Sequence, residues 1–207
     1  MKKLLHIIAT PRGADSRTLK VSNVFIDTFM KSHEGWTLEE IDLFKEDLPS
    51  ITALQVDGKF VLLSGKELAG ELKTAWQDIE MHIDRFLSAD AYVLSTPMWN
   101  FSVQYMLKHY FDVIVQPKAL FRYTKTGVEG LVKDKRMTVI ISRGGDYSIP
   151  VSKALDQQEP YLRTLFGFIG ITSPEFVIAQ PMDMGEALQK QKIKEAQEKA
   201  AALAMRR

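Results

Sequence analysis

Short apolar runs alternate with amphipathic stretches along the 207-residue chain. "LLHIIAT" (4–10) is apolar, partly β-branched and bounded by Pro11 and Gly13, which predicts a buried strand. After the loop "PRGAD", Ser16 caps a predicted helix whose Leu19, Val24, Phe25 and Phe29 recur at helical spacing. Gly35 closes that unit, and "WTLEEIDLF" (36–44) alternates like a second strand. Residues 45–64, with Pro49 and Gly58, read as an irregular connection. A helix over 66–88 places Leu72, Trp76, Ile79, Ile83, Phe86 and Leu87 on or near one face. "DAYVLSTP" (90–97) is a third strand that stops at a proline, and "VQYMLKHYFDVIV" (103–115) a helix ended by Pro117. "KRMTVIISRGG" (135–145) is a fourth strand running into a glycine pair. A helix over 159–171, a fifth strand over 174–180 and a charged amphipathic helix over 185–207 complete the series.

Strands apolar on both faces and separated by helices mean a parallel sheet covered on both sides. The expected fold is α/β, a three-layer sandwich formed as one domain over 1–207. "LFRYTKTGVEGLVKDK" (120–135) breaks the alternation and reads as a hairpin-like excursion beyond the sheet, at about 118–134. Composition narrows the chemistry. A formal net charge of +1, with 27 basic against 26 acidic residues, gives no electrostatic case for nucleic acid or an anionic membrane. The absence of cysteine excludes disulfides, thiolate catalysis and cysteine-ligated metal sites, and fits a reducing cytoplasm. No apolar run approaches the length of a bilayer span. The histidines, His6, His33, His82 and His109, have no metal-ligand spacing and read as satisfied or solvent-facing; no metal is expected.

In open parallel sheets, ligands bind outside the carboxyl ends of the strands. Three strand ends here are unusual. "ATPRGADSRT" (9–18) puts Ser16, Arg17 and Thr18 at the first turn of a helix, where free N–H groups and the helix dipole favour an anion. No G-x-G-x-x-G follows the strand, so a terminal phosphomonoester fits better than a dinucleotide. At "STPMWNF" (95–101) the chain leaves the sheet at Pro97, and Met98, Trp99 and Phe101 offer apolar faces to a planar ring around one Asn100. At "SRGGDY" (142–147), Gly144 and Gly145 allow close backbone approach, while Ser142 and Arg143 can hydrogen-bond ring carbonyls. Phosphate seat, apolar wall and polar loop together describe one cavity, and an isoalloxazine with a ribityl phosphate fills that description.

"PMWNF", "LKHYFD", "FRYTKTGVEGL", "SRGGDY" and "LFGFIGIT", in this order over nearly the whole chain, resemble the FMN-dependent NADH:quinone oxidoreductases known as azoreductases. The resemblance implies a flavodoxin-like fold with strand order 2-1-3-4-5, and a homodimer with one FMN per subunit near the interface. It implies that NADH or NADPH gives a hydride to the flavin and leaves, before a quinone, azo or nitroaromatic compound takes two electrons in the same place. Carried over by position, Thr10, Ser16, Arg17 and Thr18 match the phosphate-binding segment. Pro97, Met98, Trp99, Asn100 and Phe101 match the segment along the ring, where the family usually has Tyr in place of Trp99. Ser142, Arg143, Gly144 and Gly145 match the loop at the pyrimidine end. Phe121 and Tyr123 fall in the segment that, in relatives, helps cover the substrate face from the excursion or from the partner subunit, and Tyr147 is a third substrate contact; a proton for the substrate can come from Tyr147 or from water. No side chain is assigned as a catalytic acid, base or nucleophile. Two other classes share this fold: an electron carrier to a protein partner, against which the balanced charge argues, and a non-catalytic ligand-binding or regulatory module.

Overall fold

The computed structural model describes residues 1–206. In chain order it contains β1 (Lys2–Ile8), α1 (Arg17–Ser32), β2 (Trp36–Asp42), α2 (Ala53–Leu63), α3 (Gly70–Leu87), β3 (Ala91–Pro97) and α4 (Tyr105–Ile114). There follow β4 (Phe121–Thr124), β5 (Gly127–Gly130), β6 (Arg136–Ser142), α5 (Pro150–Lys153), α6 (Gln158–Ile169), β7 (Glu175–Ala179) and α7 (Glu186–Ala204). Five strands form one parallel sheet in the order β2-β1-β3-β6-β7, which is 2-1-3-4-5 when only its own strands are counted. Because β1 sits between β2 and β3, the chain leaves it first to one side and later to the other. That reversal opens a crevice beyond the carboxyl ends of β1 and β3.

Alternation along each strand divides the core. Leu5, Ile7, Tyr92, Leu94, Val139 and Ile141 face Ile79, Phe86, Leu107 and Phe166 of α3, α4 and α6. On the opposite face Leu4, Val93, Ile140 and Val177 meet Val21 and Phe25 of α1 and Ala200 of α7. Among the described residues no helix is long and apolar enough to cross a membrane.

Two expectations change. Residues 53–63, read as irregular, form α2. Gly58 obscures its periodicity, but a Cβ there would lie 2.9 Å from the Trp76 ring, so glycine lets α2 settle on α3. The residue pattern Thr52–Gln55 marks its start, with Gln55 Oε1 accepting the Thr52 N–H at 3.1 Å. His82 is neither satisfied nor solvent-facing. Helical spacing puts it among Ile79, Ile83 and Phe86, where it is 2 % exposed and both ring nitrogens lack a partner.

His6 meets the expectation in a particular way. Its ring, buried on the face of the sheet that carries Leu4, lies between Glu40 Oε1 on β2 (2.9 Å from Nδ1) and Ser95 Oγ on β3 (2.8 Å from Nε2). The hydrogen bond from His6 holds the Glu40 carboxyl below its ordinary value of 4.5, against a smaller upward push from burial. A depressed folded-state pKa adds stability above the unfolded value and loses it as pH falls through the folded one. Glu40→Gln is therefore expected to flatten the acid limb of a stability-versus-pH curve below pH 4.5. The change is small because half of the Glu40 side chain is exposed, and chemical denaturation at stepped pH measures it.

The excursion folds as an antiparallel hairpin, β4 paired with β5, outside the main sheet. Its base is tied down by Leu131 N–H to Leu120 O (2.9 Å) and Val132 N–H to Ile169 O (2.8 Å). Phe121 packs on Phe168, ring centroids 4.6 Å apart, and Tyr123 stands exposed with its ring edge-on to Phe121.

Candidate functional site

Ten of the thirteen residues assigned to the cofactor line one cavity of about 230 Å³ at the crevice: Thr10, Ser16, Arg17, Thr18, Pro97, Met98, Trp99, Ser142, Arg143 and Gly144. Asn100, Phe101 and Gly145 lie beyond its rim. Pro11, Arg12, Met182 and Asp183 complete the lining. The last two come from the turn after β7, a fourth strand end that the three-loop reading missed. "AQPMD" repeats the strand-then-proline exit of "STPMW", and that pattern was the available signal.

The β1 end is built around the start of α1. Ser16 caps the helix, its Oγ accepting the Leu19 N–H at 3.3 Å and the Thr10 hydroxyl at 3.2 Å. The first-turn N–H groups have no intrahelical acceptor and carry the positive end of the helix dipole. Thr18 differs from its assignment in detail: its Oγ1 is bonded to Ser142 Oγ at 2.7 Å, so it fastens α1 to the end of β6. Arg17 crosses the mouth of the cavity, with Nη1 2.5 Å from Asp183 Oδ1.

At the β3 end, Met98 N–H donates to Ser142 O at 2.9 Å, which joins the second loop to the third. Trp99 and Ser102 exchange both backbone bonds (3.0 and 2.9 Å) across a two-residue turn in which Asn100 has φ 46° and Phe101 φ 68°. Positive φ at both central positions is the primed type I turn. Asn tolerates it; an aromatic residue does so only under strain. The turn carries Trp99 and Phe101 outward, 39 % and 47 % exposed, and so extends an apolar wall past the cavity.

At the β6 end the Arg143 side chain, 2 % exposed, turns away from solvent. Nη1 pairs with Asp156 at 2.9 Å, and longer bonds reach Gln158 (3.4 Å) and Gln180 (3.5 Å). Asp156 thus offsets its charge within the protein, while Nη2, buried without a partner, and the loop backbone stay available to a ligand. The N–H groups of Asn100, Gly144 and Gly145 donate to no other group among the described residues. Hydroxyls at a helix N-terminus, uncommitted amides and a flat apolar wall suit a phosphomonoester joined to a polar-edged planar ring, and FMN is such a molecule.

The three residues assigned to the substrate lie outside that cavity. Phe121 and Tyr123 line a separate cavity of about 710 Å³ bounded by α2, α4, the hairpin and α6, with no residue in common with the first. The N-terminal end of α6 borders the crevice through Gln158 Nε2 to Pro97 O (2.9 Å), but the hairpin is anchored at the far end of that helix, at Ile169 and Gly170, and its aromatics share no lining residue with their own chain's crevice. Tyr147 lines a third cavity, of about 580 Å³, that shares Arg143 with the first. Its ring meets Phe101 edge-on at 6.5 Å and lies 5.7 Å from the Arg143 guanidinium.

Residues 2–204 match a family described as having the flavodoxin-like fold. The chain is 34 % identical over 182 residues, 87 % of each chain, to an FMN-dependent NADH:quinone oxidoreductase of Nitratidesulfovibrio vulgaris. A relative of the same name from Coprothermobacter proteolyticus is 32 % identical over 208 residues, covering 99 % of this chain and 98 % of its own. Among solved structures, an FMN-dependent NADH-azoreductase of Bacillus anthracis in complex with FMN superposes with TM-score 0.85 at 30 % identity, over 99 % of this chain and all of the other. Another Bacillus anthracis azoreductase gives 0.90 at 29 %, over 99 % of each. The chain belongs to the flavodoxin-like family and, within it, to the FMN-dependent NADH:quinone oxidoreductases.

Proposed function

We infer that this chain is an FMN-dependent oxidoreductase that takes reducing equivalents from NADH and passes them to quinones and azo compounds. The observation that carries this reading is the convergence of four strand-end loops on one crevice whose donors suit a phosphorylated flavin. Bound FMN supplies the redox chemistry, accepting a hydride from the nicotinamide and giving two electrons to the acceptor. The protein's part is placement. The α1 N-terminus with Thr10 and Ser16 seats the phosphate. Met98 and Trp99 give the ring an apolar wall, and the free amides of Asn100, Gly144 and Gly145 face its polar edge with dipoles rather than a net cation. Tyr147, beside Phe101, stands where a substrate meets the rim; its hydroxyl or water supplies the proton.

The separation of Phe121 and Tyr123 from the crevice supports a homodimer in which each hairpin covers its partner's site. The groove they line includes exposed Val56, Leu63, Tyr105 and Tyr123, an apolar surface of the kind that association buries. Sedimentation at micromolar concentration tests it, and a monomer there defeats the dimer. Such an enzyme works where NADH is held, and we place it in the cytoplasm.

Addition of FMN to the purified protein, followed spectroscopically and then by anaerobic NADH, tests the activity. Expected are bound yellow flavin, its bleaching by NADH, and recovery of colour with a quinone. A protein that takes up no FMN, or whose flavin NADH leaves oxidised, refutes the reading. The strained turn adds a prediction. Left-handed backbone at a non-glycine residue costs about 1–3 kcal/mol, of which Gly returns about 0.5–1 through its freer unfolded state. Phe101→Gly is therefore expected to raise the thermal midpoint by roughly 2–4 °C while weakening FMN retention, as calorimetry and flavin fluorescence will record.

A further inference from the structure

We propose that Asp183 is a gate on the phosphate seat, restraining Arg17 across the cavity mouth and setting how strongly the protein prefers a phosphorylated flavin to one without phosphate. The proposal rests on the flavin reading above and adds a residue and a selectivity to it.

Arg17 is the cation at the first helical position of α1, on the same turn as the Ser16 cap. Its guanidinium is not free. Asp183 holds it at 2.5 Å, from a turn 166 residues away in sequence. The carboxylate is itself held in place. Asp183 N–H donates to Gly144 O at 3.0 Å, and Met182 N–H donates to Arg143 O (2.9 Å) and to Gly144 O (3.0 Å). Its second oxygen lies over Gly144, where any Cβ would collide with it, so the glycine leaves room for the carboxylate as well as for a ligand. Both residues line the 230 Å³ cavity, and the Asp183 side chain is 64 % exposed, able to swing outward without unmaking the backbone ties.

A dianionic phosphate approaching the α1 N-terminus meets attraction from Arg17, from Arg12 in the same lining and from the helix dipole, and repulsion from Asp183. Phosphate and carboxylate compete for one guanidinium. The phosphate wins only by displacing Asp183, so part of the available attraction goes into parting the ion pair. A flavin without phosphate neither gains Arg17 nor meets that repulsion. Asp183 therefore acts selectively on FMN.

The test is the affinity of FMN and of riboflavin, by quenching of flavin fluorescence, for the unaltered protein, Asp183→Asn and Arg17→Gln. Asp183→Asn is expected to bind FMN on the order of tenfold more tightly, the effect of removing one like charge at a partly exposed site, with riboflavin affinity unchanged. Arg17→Gln is expected to reduce the preference for FMN over riboflavin, Arg12 and the α1 N-terminus keeping the remainder. FMN binding that is unchanged or weaker in Asp183→Asn overturns the gate, and weaker binding would make Asp183 a support that aims Arg17 at the phosphate. Failure of the unaltered protein to take up FMN refutes the flavin reading itself, and the gate with it.

Discussion

Arg143→Met is expected to lower the thermal midpoint severely. Breaking a buried ion pair by removing one partner costs about 3–5 kcal/mol, or roughly 6–20 °C in a chain of this size. The loss comes from what is left behind. Asp156, with only 11 % of its side chain exposed, keeps its charge position and loses the guanidinium 2.9 Å away. Gln158 and Gln180 lose a donor in the same step. The pair joins the end of β6 to the segment before α6, so the loop that carries Gly144 and Gly145 loosens too, and FMN retention falls with stability. A double variant, Arg143→Met with Asp156→Asn, separates the causes: the amide oxygen still accepts the Gln158 and Glu159 N–H groups (3.0 and 3.2 Å) while no carboxylate is stranded, so part of the lost stability returns. Calorimetry of the single and double variants measures both effects. A single variant that melts with the parent, or a double variant no better than the single, contradicts this account.

Gly130→Ala is expected to cost about 3 kcal/mol, roughly 6–12 °C in the melt, as overpacking against backbone that cannot yield. A Cβ on Gly130 would fall within the radii of Gly170 N and Ile169 C and only 2.6 Å from Gly170 Cα. Neither side has a flexible side chain to move aside. Gly170 ends α6 in the left-handed conformation (φ 109°), and Val132 N–H is bonded to Ile169 O beside it. The strain frees the hairpin at its base, so trypsin is expected to cut faster at Lys125, in the exposed turn between β4 and β5. Gly167→Ala, on the same helix but facing open space, is the contrast: it should stabilise by about 0.5–1 kcal/mol. Equal melting of the two variants would show that the close approach does not matter.

The contrast between these glycines also marks what the sequence can disclose. Four apolar runs, each closed by Pro, Gly or a polar turn, and one alternating run at the sheet edge disclose the sheet, because burial on both faces leaves the inner strands no polar positions to confuse them. Thr10, Ser16, Pro97, Met98 and Ser142 come together because the parallel fold collects strand ends on one edge, a consequence of topology that needs no side-chain detail. Side-chain direction is another matter. Nothing near Arg143 in sequence says that its guanidinium turns inward to Asp156, nor that Thr18 spends its hydroxyl on Ser142. Phe121 and Tyr123 sit on a hairpin whose base closes where Gly130 meets Gly170, 40 residues on, so which crevice they cover, their own or a partner's, is not readable from the chain. Gly58 hid α2 for a related reason: it serves the contact with Trp76 and interrupts the local pattern.

The Glu40–His6–Ser95 chain has a consequence for how the three strands find their alignment. Apolar strands slide past one another at little cost, since valine, leucine and isoleucine are near equivalents in an oily layer. His6 is the exception on β1. A shift by one position would turn its imidazole to the side packed by α3 and α4, away from both partners, and leave two ring nitrogens stranded among hydrocarbons. One polar clasp in an otherwise featureless stack thus works as an index mark, fixing β2, β1 and β3 in step and with them the height at which every strand-end loop meets its neighbour.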